Sequence, residues 1–134
     1  MALTKILDVS ALLLYCGFIY WLSAQQALPK IEWFAHQDKL HHFGAYFVMG
    51  LLAWRAFKHH LQVPIILALV SIVFCSLYAV SDEWHQSFVI GRSSDVFDWV
   101  ADTLGASTGV FYCINYENIM ANGFFHKWSR YINW

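Results

Sequence analysis

Apolar residues along this chain gather into four long runs separated by short polar clusters. A helix that crosses a bilayer needs about 20 mostly apolar residues, because each residue advances it only ~1.5 Å through a hydrocarbon core of ~30 Å. The runs meet that length, two cleanly and two with polar interruptions. The first predicts a helix over about 6–28, closed by Pro29. Lys5 ahead of an apolar run also suits a cleaved leader, but Ser23-Ala24-Gln25-Gln26 offers no clean small-x-small site, so the reading is a membrane anchor. The second run, about 40–57, follows a polar loop with Lys30, Glu32 and Asp38 and ends in Arg55 and Lys58-His59-His60. The third, about 64–84, opens on Pro64, tolerated in a first turn where no backbone donor is needed, and is uncharged to Val80. The fourth, about 96–114, carries Asp98 and Asp102 within it, and 115–134 reads as a short amphipathic tail at the interface.

The expectation is an all-α, integral membrane four-helix bundle, a single domain over residues 1–134. Lys5, Arg55, Lys58, Lys127 and Arg130 against Lys30, Lys39 and Arg92 give the positive-inside bias for N-in and C-in, which puts the loops at Asp38-Lys39 and Gly91-Arg92 outside together. Composition agrees: 59% of the 134 residues are hydrophobic and 13% charged, well on the oily side of soluble domains. Of the seven tryptophans, Trp21, Trp33, Trp84, Trp99 and Trp128 fall near run ends, where an aromatic belt sits, and Trp54 is close to one. A formal net charge of -1 with no basic run excludes nucleic-acid partners. Cys16, Cys75 and Cys113 lie inside apolar runs and are odd in number, so they read as buried free thiols.

Candidate chemistry concentrates at the outer end. Residues four apart on a helix differ by about 40° of rotation, so Asp38, His42 and Tyr46 share one face, as do Asp95, Asp98 and Asp102, continued by Gly105 and Gly109. Those glycines permit close approach of a neighbouring helix. Glu83 and Gln86 make a third polar face, and Ser94 or Asp95 is placed to cap the fourth helix. A carboxylate in hydrocarbon costs at least ~2.5–3.5 kcal/mol, so Asp38, Glu83, Asp95, Asp98 and Asp102 need partners, protonation or a cation. Arg92, Lys39, His42 and His85 are available.

The ligand-binding candidates are therefore Asp38, His42, Tyr46, Glu83, Gln86, Arg92, Asp98 and Asp102, with Glu83, Asp98 and His42 as candidates for acid-base catalysis. Arg92 suits a phosphate or carboxylate and the acids an amine. Glu83, His85, His42 and Asp98 offer metal-ligand types, but no His-x3-His or Cys-x2-Cys spacing accompanies them, so no metal is assigned. The alternative is that Asp98 and Asp102 only fix helix packing through Arg92, His42 or backbone. His59 and His60 read as a solvated loop. No nucleophile elbow, phosphate loop or cofactor fingerprint occurs, and the cofactor stays open.

Asp38-Lys39-x-x-His42-Phe43-x-x-Tyr46, Asp82-Glu83-x-x-Gln86, Gly91-Arg92, Asp95 or Asp98 with Asp102, and Gly105 with Gly109 together resemble the VanZ-like family of small bacterial membrane proteins. This chain has Ile90 where that family often has Pro, and Asp102 where it often has Asn. The resemblance implies a multi-pass protein of the bacterial inner membrane and cell envelope, whose namesake is associated with resistance to glycopeptides of the lipid-tailed teicoplanin type. It supplies no reaction. The expected function is recognition of a lipid-linked or lipid-tailed envelope molecule, hence a membrane lipid as partner, by an outer-leaflet polar site. The alternatives are an intramembrane enzyme modifying a lipid or cell-wall precursor, and a structural subunit of a membrane complex. Protein partners stay open.

Overall fold

The computed structural model describes residues 2–26 and 37–132, with side chains as far as residue 122. The described residues form four α-helices and no strand: α1 (Ala2–Ser23), α2 (Gln37–Phe57), α3 (Pro64–Gln86) and α4 (Val96–Ile132). The all-helical expectation is met. By length and hydropathy, α1 and α3 could cross a membrane.

α1 ends at Ser23 rather than near residue 28. The apolar run gives way there to polar residues, and the winding closes with Ala24 N–H on Tyr20 O at 3.0 Å and Gln25 N–H on Leu22 O at 3.1 Å. Pro29, Lys30, Glu32 and Trp33 lie outside the described residues. α3 begins on Pro64 after extended Val63 and runs two residues past its expected end. The connection to α4 turns at Gly91, whose φ of 82° is a conformation only glycine adopts without strain. Asp95 Oδ1 then accepts the Phe97 N–H at 2.9 Å, so Asp95 caps α4, a role the sequence left shared with Ser94. The fourth helix corrects the sequence reading most: it continues through residue 114 to Ile132, with no proline to stop it. Glu117, expected in a separate tail, accepts the Trp54 indole N–H at 3.0 Å and so belongs to the α2–α4 packing. Trp128 and the rest of 123–134 lie outside the described side chains.

α2 and α4 form the most extensive helix pair, α1 and α3 touch only slightly, and α1 and α4 do not meet among the described residues. A Cβ on Gly105 or Gly109 would collide with the carbonyl of Phe43 or Phe47, and one on Gly50 with the backbone of Ala106. Backbone therefore meets backbone along this seam, the close approach expected of Gly105 and Gly109. α1 is tied in by two hydroxyls: Tyr15 donates to Ala45 O at 2.9 Å and Tyr78 to Cys16 O at 2.6 Å. The three cysteines are free.

The interior is mixed: Leu12, Met49, Trp54, Leu67 and Val110 form apolar core clusters, yet carboxylates are buried beside them and large aliphatic side chains face outward. Asp8, Ser71, Asp82, Glu83, Gln86, Asp98 and Asp102 are buried, while Leu13, Leu14, Ile65, Leu69, Leu77 and Phe111 are exposed. An interior holding this many carboxylates, wrapped in aliphatic side chains, suits apolar surroundings.

Candidate functional site

The polar residues of the helix ends do converge, but into two groups that α3 separates. Adjacent helical residues point about 100° apart, so Glu83 faces α4 while Asp82 faces α1.

In the first group, Lys39 on the opening turn of α2 is the hub. Its Nζ donates to Asp98 Oδ1 at 2.7 Å, to Asp38 Oδ2 at 3.4 Å and, in a short contact, to Asp95 Oδ2. One turn deeper, His42 Nδ1 lies 3.1 Å from Asp102 Oδ1, and its Nε2 lies 3.9 Å from Asp98 Oδ2. With Asp102 ionised, its carboxylate only accepts, so Nδ1 donates to it while Nε2 faces Asp98. Glu83 Oε2 accepts the Asp95 backbone N–H at 2.8 Å. Glu83 Oε1, Asp102 Oδ2 and the Tyr46 hydroxyl are buried without a partner among the described residues. One donor atom each of His42, Glu83 and Asp98 lies within 4.8 Å of the others.

In the second group, Ser23 Oγ donates to Asp82 Oδ1. Gln86 Nε2 donates to Asp82 Oδ2 at 3.1 Å, and Gln86 Oε1 accepts Arg92 Nη1 at 3.2 Å. Arg92 also donates from Nε to Gln25 O at 3.0 Å and from Nη2 to Leu22 O at 3.2 Å. It thereby gives Leu22 O a second donor beside the Gln25 N–H and serves Gln25 O just past the end of α1, where a cation is favoured.

A cavity of about 260 Å³ opens between these groups, with Asp38, His42, Tyr46, Asp82, Gln86 and Arg92 in its wall. On the far side of α3, a groove of about 460 Å³ is framed by Val80, Trp84 and Trp99, with Glu83 and Asp95 in its lining. A polar compartment and an aromatic groove thus flank one helix end.

At the mouth, the electrostatics follow from Lys39. Its bonds to Asp95 and Asp98 outweigh the opposing effect of burial, so the ammonium holds its proton more firmly than an ordinary lysine. In return the Lys39 bond, helped by the Phe97 N–H, holds the Asp95 carboxyl below its usual range.

All eight ligand-binding candidates lie at this end. Asp38, Tyr46, Gln86 and Arg92 line the cavity, Glu83, Asp98 and Asp102 belong to the carboxylate cluster, and His42 joins the two. Four expectations change. Glu83 and Gln86 do not form one face. Arg92 spends donors on Leu22, Gln25 and Gln86 instead of standing free for an anion. His85 stacks on Tyr20 with ring centroids 4.4 Å apart, apart from the His42–Glu83–Asp98 group. His59, read as solvated, instead meets Asp8 Oδ2 at 2.8 Å, with Arg55 Nη2 on Asp8 Oδ1 at 2.8 Å, while His60 is exposed. Sequence reasoning assigned no site role to Asp82, Ser23 or Asp8, and named Lys39 only as one available partner. The four-residue spacing of Asp82 and Gln86 was a usable signal; Ser23 carries none.

A protein-family model described as VanZ/LLP1 matches residues 7–120. A stretch of 50 residues, 36% of this chain, is 34% identical to the photosystem I P700 chlorophyll a apoprotein A1 of Chlamydomonas reinhardtii. The match spans 7% of that protein's length. No solved structure matches.

Proposed function

This chain belongs to the VanZ/LLP1 family, and from that premise we propose a multi-pass protein of the bacterial inner membrane, a four-helix membrane bundle with both termini inside, that recognises a lipid-linked or lipid-tailed envelope molecule at the outer leaflet. One observation carries the reading: a 260 Å³ cavity walled by Asp38, His42, Asp82, Gln86 and Arg92, at one end of a molecule whose flanks are aliphatic. Such a compartment offers hydrogen-bond acceptors and donors to a headgroup while the aromatic groove beside α3 receives an apolar tail. With Arg92 engaged by carbonyls, the carboxylates are the stronger recognition elements, which favours a headgroup bearing an amine or several hydroxyls. Family membership makes protection against lipid-tailed glycopeptides the phenotype to score.

The test is retention of lipid. Protein extracted from its native membrane and examined by native mass spectrometry should carry a bound envelope lipid. His42→Ala and Gln86→Ala should lose it at unchanged abundance in the membrane. If these variants lower abundance alone and keep the lipid, the polar ends serve packing. A second reading, an intramembrane enzyme, is favoured by the His42–Asp102 pair beside Glu83, a base held by a buried carboxylate. It predicts a product from envelope lipid extracts that disappears with Glu83→Gln.

A further inference from the structure

Three side chains in the first group have the chemistry and placement of a metal site, although no ligand spacing in the sequence marks one. His42 on α2, Glu83 on α3 and Asp98 on α4 each present a donor atom within 4.8 Å of the other two. A four-coordinate zinc ion, with donors at about 2.0–2.1 Å, holds them about 3.4 Å apart. The His42 Nε2–Asp98 Oδ2 separation of 3.9 Å is already close to that value.

The surroundings point the same way. The Glu83 side chain is in a residue only 6% exposed, and its Oε1 has no partner among the described residues. A buried acceptor without a donor is costly, and a cation satisfies it. Asp102, 0% exposed, holds the imidazole from behind through Nδ1. That leaves Nε2 facing Asp98 Oδ2, the carboxylate–histidine arrangement that orients and strengthens a histidine ligand. Lys39 occupies Asp98 Oδ1, the other oxygen, and its single charge is divided among Asp38, Asp95 and Asp98. The deeper carboxylates, Glu83 and Asp102, receive no contact from it.

We propose that His42, Glu83 and Asp98 bind one divalent transition-metal ion of the zinc type, with Asp102 as the positioning residue for His42. One nitrogen and two carboxylate oxygens leave at least one coordination position open. The open position lets the ion polarise or anchor an anionic oxygen of whatever enters from the adjoining cavity, since His42 stands in both. The site does not depend on the lipid-recognition reading and is tested without lipid.

The experiment uses the full chain purified in detergent with a histidine-free affinity tag, stripped with chelator and titrated with Zn²⁺ by calorimetry. Wild type should take up one equivalent, and Glu83→Gln, Asp98→Asn and His42→Ala should each bind at least about tenfold more weakly. Asp102→Asn should weaken binding about 10–100-fold while leaving one equivalent at saturating metal. X-ray absorption of the loaded protein should show nitrogen and oxygen donors near 2.0–2.1 Å, and a sulfur shell near 2.3 Å would overturn the assignment. So would the absence of stoichiometric zinc on wild type, or uptake that survives in both Glu83→Gln and Asp98→Asn, which would place the metal on surface histidines such as His41 or His60. Each variant is first shown to elute as wild type. If one aggregates, the nearly isosteric Glu83→Gln carries the decision.

Discussion

Lys39→Met tests the hub of the first polar group by removing its charge while keeping most of its length. Asp98, with a side chain 10% exposed, would lose the ammonium at 2.7 Å and keep only His42 Nε2 at 3.9 Å. Stripping one partner from a buried ion pair costs about 3–5 kcal/mol. Lys39 is itself 22% exposed, so water reaches the pair and the lower end, about 3 kcal/mol, applies. The Asp95 contact faces solvent and adds little under screening. Asp98→Asn alone removes one charge-assisted hydrogen bond, about 1.5 kcal/mol, because Lys39 keeps its other acids. The double variant strands no charge at position 98 and should lose about 2 kcal/mol, against about 4.5 for the sum of the singles, an interaction energy near 2.5 kcal/mol. Equilibrium unfolding in detergent with chelator present, followed by tryptophan fluorescence, measures all four corners of the cycle. Losses that add to within about 0.5 kcal/mol would refute the coupling.

Other outcomes follow from the same structure. Gly105→Ala should destabilise by about 1–2 kcal/mol, since its Cβ meets the Phe43 backbone and overpacking outweighs the roughly 1 kcal/mol gained in helix propensity. Gly44→Ala, with nothing within 4 Å, should be neutral or stabilising, and equal effects at the two sites would show that the α2–α4 seam is not close-packed. Acid sensitivity should appear at the mouth. The folded-state pKa of Asp95 lies below its ordinary 3.8, so its contribution is present above that value and is lost as pH falls through the depressed one. Asp95→Asn should therefore flatten the acid limb of a stability-against-pH curve, and an unchanged limb would exclude the Lys39–Asp95 bond.

Helix number and the polar end were legible because helical periodicity determines which residues share a face. Asp98 with Asp102 and Gly105 with Gly109 fell into place by rotation alone. Partner choice was not legible. Whether Glu83 turns to α4 or joins Gln86 toward α1 depends on how α3 is seated between its neighbours, which no local pattern states. Asp8 stood unnoticed in an apolar run because its partners, Arg55 and His59, are 47 and 51 positions away. Ser23 reads as an ordinary small residue until Asp82 faces it. The end of α4 was not legible because falling hydropathy marks the end of an apolar run and not of a helix, and a backbone that meets no proline can continue through polar residues such as Asn115 and Glu117.

The division of labour between Asp82 and Glu83 gives α3 a constraint of another kind. An apolar span normally tolerates a residue more or less, because tilt and local bilayer thickness absorb the difference. Here one residue deleted between Pro64 and Val80 would turn the helix end by about 100°, withdrawing Asp82 from Ser23 and Glu83 from the Asp95 amide together. Hydropathy would scarcely register the change. Counting from Pro64, the span is thus fixed to the residue by its two consecutive carboxylates.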